Sequence, residues 1–67
     1  MNTRRLRGEI VSVFNTQSAF ASEIGWTKNK VTRMLSGKYK PNTDEVALIA
    51  STLHFNEAKF CEIFFAN

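Results

Sequence analysis

The apolar positions of this chain recur at helical spacing along its length, and no stretch alternates in the manner of a strand. Leu6, Ile10 and Phe14 fall at i, i+4 and i+8, with Val13 beside them, and predict a first helix over about residues 3–14. Gly8 lies inside it, at a cost of about 1 kcal/mol relative to alanine. Asn15-Thr16 interrupts the pattern, and Thr16 is the expected N-cap of a short second helix over about 17–24 with Phe20 and Ile24 as its apolar pair. Gly25 closes that helix, because glycine takes positive φ without a Cβ penalty. Thr27 is placed to cap a third helix, about 28–36, that stops at Gly37. Pro41 biases Lys40 away from helical angles and makes Lys38 to Asn42 a loop. Thr43 as N-cap, with Asp44 and Glu45 in the electropositive first turn, opens a fourth helix to about Leu53, buried along Val46, Ile49, Ala50 and Leu53. Asn56 is the expected cap of a fifth helix, about 57–65, that carries Phe60, Ile63 and Phe64. The expected fold is all-α, five short helices in a single domain over residues 1–67.

Within this framework Gln17-x3-Ala21-x3-Gly25-x5-Val31 has the spacing of a helix-turn-helix over about residues 17–36. Ala21 is small where two helices approach closely, Gly25 makes the turn, and Val31, Met34 and Leu35 share the face that plugs the third helix onto the second. Asn29 and Arg33 then lie almost opposite, with Thr32 and Ser36 nearby and Lys28 in the exposed first turn. Those side chains suit base edges and phosphates: Arg or Lys to guanine, Asn to adenine, Thr or Ser to either.

Charge sharpens this picture. The net charge of +3 is unevenly spread: residues 1–40 hold eight Lys/Arg against two acids, and residues 41–67 one Lys against four acids. Between Glu23 and Asp44 there are five basic residues (Lys28, Lys30, Arg33, Lys38, Lys40) and no acid. One face is therefore expected to meet a polyanion.

Composition excludes more than it identifies. At 43% hydrophobic and 12% aromatic the chain is too apolar for disorder. A lone cysteine, Cys61, leaves neither an internal disulfide nor a zinc pair, so the expected compartment is a reducing cytoplasm. The basic N-terminus lacks the roughly 7–15-residue apolar core of a signal peptide, and no run approaches the ~20 residues of a membrane span. One histidine, one cysteine and no glycine loop or acid pair suited to catalysis argue against an enzyme. No cofactor, metal, membrane or small-molecule ligand is expected.

From about Leu6 to Phe65 the chain resembles the small phage Cro and cI-type repressors, the lambda-repressor-like helix-turn-helix proteins. The resemblance rests on Gln17, Ala21, Gly25, Val31, Leu35 and the exit Ser36-Gly37-Lys38-x-Lys40-Pro41, together with LRG near the start and FF near the end. It implies a regulator that binds double-stranded operator DNA in a bacterial host cell. Lys28, Asn29, Thr32 and Arg33 would read bases. Gln17, Thr27, Lys30, Lys38, Tyr39 and Lys40 would hold phosphates. Two positions depart from the pattern: His54 stands where the family often has glycine, and Trp26, expected to be partly core, is bulkier than the usual residue.

Two further surfaces carry expectations. Arg4, Arg5 and Arg7 form either a DNA-contacting arm or a solvated terminus. Cys61 and Phe65 fall outside the core stripe of Phe60, Ile63 and Phe64, and with this extra apolar surface Phe64 and Phe65 are the expected homodimer contacts. An alternative function is an adaptor, an antitoxin or antirepressor whose acidic, aromatic C-terminal half holds another protein. RNA binding ranks below both, since no stacking platform is evident.

Overall fold

The computed structural model describes residues 1–65 and contains five α-helices: α1 (Thr3–Phe14), α2 (Gln17–Ile24), α3 (Lys28–Leu35), α4 (Thr43–Thr52) and α5 (Glu57–Phe64). Each begins on a side-chain cap. Asn2, Thr16, Thr27, Asn42 and Asn56 each accept a hydrogen bond from the backbone N–H three residues on. For α4 this corrects the expected Thr43 cap: Asn42 takes that role, and Thr43 is the first helical residue. The Glu45 carboxylate reaches back to the Asn42 N–H at 3.0 Å and completes a capping box.

Three of the helices end alike. Trp26 N–H bonds Ala21 O at 2.9 Å, Lys38 N–H bonds Arg33 O at 2.9 Å, and Phe55 N–H bonds Ala50 O at 2.9 Å. Each six-residue loop-back needs a residue at positive φ just before the donor, and these are Gly25 (75°), Gly37 (84°) and His54 (56°). Histidine thus occupies, at some strain, a position that glycine occupies twice elsewhere in the same chain.

The core gathers Leu6 and Ile10 from α1; Phe20, Ala21 and Ile24 from α2; Val31, Met34 and Leu35 from α3; Ile49 from α4; Ile63 from α5; and Leu53 just beyond α4. No polar side chain is buried with them among the described residues. α1 packs on α2, α3 and α5, and α2 packs on α3 and α4. The last helix is fastened to the first by Asn2 N–H to Ile63 O (2.6 Å), Arg5 to Glu62 (3.0 Å) and Lys59 to Glu9 (2.7 Å). Val13 departs from expectation: it is 49% exposed, because the α1 stripe through Leu6, Ile10 and Phe14 leaves it on the outer flank. Val46, Ala50 and Phe60 are only partly buried. No helix among the described residues is long and apolar enough to cross a membrane.

Two substitutions should raise stability. Gly8 is an exposed mid-helix position where a Cβ meets nothing within 4 Å, so Gly8→Ala should add about 0.5–1 kcal/mol. His54→Gly should relieve the positive-φ strain and add up to about 1 kcal/mol. Urea unfolding of each variant checks both.

Candidate nucleic-acid interface

α2 and α3 are joined by Gly25, Trp26 and Thr27, and the packing of α3 decides which of its residues face outward. Val31, Met34 and Leu35 are buried against the core. The remaining positions point away from it: Lys28, Asn29, Thr32, Arg33 and Ser36 are exposed. Thr27 both caps α3, accepting from Lys30 N–H at 3.1 Å, and stands at the exposed mouth of the turn.

The loop after α3 is wrapped onto its C-terminal end. The Arg33 carbonyl accepts from Ser36 Oγ (3.0 Å), Lys38 N–H (2.9 Å) and Tyr39 N–H (3.2 Å). That clasp keeps the exposed Lys38 beside the outward face of α3. Thr27, Asn29, Lys30, Arg33 and Tyr39 together line a recess of about 270 Å³. On the other flank Gln17, the first residue of α2, shares a depression with Ser18, Asn15 and Lys28. The structure therefore brings seven of the ten expected DNA-contacting residues to two hollows that flank α3. Thr32 and Lys38 are exposed outside both, and Lys40 borders a separate apolar groove.

Free charge distinguishes these residues. Among the described residues, the side chains of Lys28, Asn29, Thr32, Arg33, Lys38 and Lys40 make no hydrogen bond or salt bridge within the chain. Lys30 and Tyr39 behave differently. Lys30 Nζ lies 2.7 Å from Glu45 Oε2, 4.2 Å from the Trp26 ring centre and 5.2 Å from that of Tyr39. Tyr39 Oη donates to Glu45 Oε1 at 2.6 Å, and the Trp26 and Tyr39 rings meet edge to face at 6.3 Å. Both residues, expected at phosphates, are engaged inside the fold, and Trp26 packs on the core as expected.

Glu45 is the residue that sequence reading missed. As a first-turn acid it suits the helix dipole, but the Asn42-x-x-Glu45 spacing also signals a capping box. The terminal arginines are not a free arm: Arg4, Arg5 and Arg7 lie within α1, and Arg5 is paired with Glu62. Phe64 is half-buried and Phe65 70% exposed. Both line an apolar groove of about 360 Å³ with Phe60, Val46 and Ala47.

Hydrogen bonds from Lys30, then Tyr39 and the Asn42 N–H, hold the Glu45 carboxyl down from 4.5 to about 2. Its partners move the opposite way: the Lys30 ammonium and the Tyr39 hydroxyl are both raised, each chiefly by the bond to Glu45. A depressed carboxyl stabilises the fold fully above pH 4.5, and that contribution is lost as pH falls towards 2. The melting temperature of the wild type should therefore fall more steeply than that of Glu45→Gln across this window. Thermal unfolding followed by circular dichroism tests it, and parallel curves would contradict it.

Compared with protein-family models, curated proteins and solved structures, the chain matches none.

Proposed function

We propose that this protein is a sequence-specific double-stranded-DNA-binding regulator, a Cro-like phage or prophage repressor that acts as a dimer on a short palindromic operator. The observation that carries the reading is the outward face of α3. Lys28, Asn29, Thr32 and Arg33 are all exposed, and their side chains have no hydrogen-bond or salt-bridge partner among the described residues, on a helix whose opposite face is buried. Lys38 and Lys40 continue the unpaired positive charge past its end. A major groove about 12 Å wide admits such a helix, and Arg and Asn are the side chains that make bidentate contacts to guanine and adenine. Gln17 and Thr27, at the first turn of α2 and the cap of α3, would in this reading meet the phosphates that fix the docking angle.

In this reading repression is occlusion: two copies on half-sites about one helical turn apart block polymerase. The groove at Phe64 and Phe65 favours either the dimer contact or the adaptor alternative, in which another protein fills it. Variants separate the two. Arg33→Ala and Asn29→Ala disable a DNA reader and spare an adaptor, whereas Phe65→Ser disables an adaptor and, in a DNA reader, costs dimerisation while leaving the half-site contacts of α3.

Selection of duplexes from a random pool, followed by titration against a scrambled sequence, should yield a palindrome preferred by about 10³-fold or more. Arg33→Ala should lose about 1–3 kcal/mol on that palindrome and much less on scrambled DNA. Equal, weak, steeply salt-dependent binding to both sequences would refute the proposal.

A further inference from the structure

Of the five basic residues between Glu23 and Asp44, four have no acidic partner among the described residues; Lys30 alone is neutralised, by a carboxylate brought from α4. The α4 cap does not require that charge. A capping box is equally well formed by glutamine at the third position, whose amide oxygen accepts from both the Asn42 N–H and the Tyr39 hydroxyl. What a glutamine cannot do is hold an ammonium by charge. The negative charge of Glu45 thus acts on Lys30, which lines the same recess as Asn29 and Arg33 of α3.

We infer that Glu45 is a positioning residue that keeps Lys30 off the DNA backbone and so limits how many phosphates the domain contacts. The inference rests on the DNA-binding reading above. Lys30 is held on three sides, by the Glu45 carboxylate and the faces of Trp26 and Tyr39, and its side chain is 35% exposed. Binding a phosphate from there would strand the Glu45 carboxylate, 16% exposed, beside a polyanion. Once Glu45 is neutral, only the Trp26 and Tyr39 ring faces hold Lys30, and a phosphate at the groove rim outcompetes them. The consequence is a sequence-independent gain, since phosphate contacts carry affinity without base information.

The test is a salt titration of the selected duplex and its scrambled counterpart with wild type, Glu45→Gln, and the double variant Glu45→Gln/Lys30→Gln. Each phosphate neutralised contributes about −0.9 to the slope of log K against log salt. Glu45→Gln should steepen the slope by about 0.9 on both duplexes and tighten both roughly 5–10-fold at about 0.1 M salt. The double variant should return to the wild-type slope. An unchanged slope in Glu45→Gln overturns the inference. So does a double variant as steep as the single, because the gain then comes from lost repulsion by Glu45 alone. A second readout uses the wild type alone: the Lys30 Nζ and Glu45 carboxyl NMR shifts should stay put when the duplex is added, and movement of both would overturn the inference. If the wild type itself shows no preference between duplexes, the DNA reading fails first, and the two failures are told apart.

Discussion

An eight-residue helix has room for little more than one buried stripe, and in α3 Val31, Met34 and Leu35 fill it. Everything else about the candidate interface follows from that constraint. With those three side chains locked into a close-packed core, the rotation of α3 about its axis is fixed, and Asn29, Thr32, Arg33 and Lys28 have nowhere to point but outward. Ala21 and the Gly25 turn hold the axis itself against α2, and the clasp on the Arg33 carbonyl fixes the exit. Side-chain direction on this surface is thus decided by apolar packing on the other side of the helix.

Electrostatics then divides a basic surface into paired and unpaired charge. Among the described residues Arg5, Lys30 and Lys59 are paired, while Arg4, Arg7, Lys28, Arg33, Lys38 and Lys40 are not. Two of the acids in the C-terminal half, Glu45 and Glu62, cross over to pair with cations of the N-terminal half. The contrast between a basic and an acidic half of the sequence is therefore partly cancelled in the fold. Four of those six unpaired cations lie on α3 and the loop behind it, and the other two on α1. Exposed ion pairs contribute little stability on their own, but a pair that fixes one cation beside an interface alters what the interface presents.

Much of the fold was legible in the sequence because short helices announce their ends. Thr16, Thr27 and Asn56 cap as expected, and Gly25 and Gly37 stop their helices at positive φ. The apolar spacing gave the core with few exceptions. Val13 was misplaced because a helical stripe has edges, and which edge is covered depends on where α2 and α5 pack. By residue type Thr43 serves as a cap as well as Asn42, but only Asn42 has a glutamate three residues on, the spacing of a capping box. The Glu45–Lys30–Tyr39 cluster was out of reach for a related reason: it joins residues fifteen and six positions apart through a loop whose path no local pattern specifies.

The central claim is that the exposed face of α3 meets DNA. Amide and side-chain NMR shifts of the labelled protein, followed as a selected duplex is added, test it most directly. The account predicts that the largest changes fall on Gln17, on Thr27, Lys28, Asn29, Thr32 and Arg33, and on Lys38 and Lys40, while the Lys30 side chain stays put and smaller changes appear at the Phe60–Phe64 groove. Changes confined to α5 and the groove, with α3 silent, would contradict it.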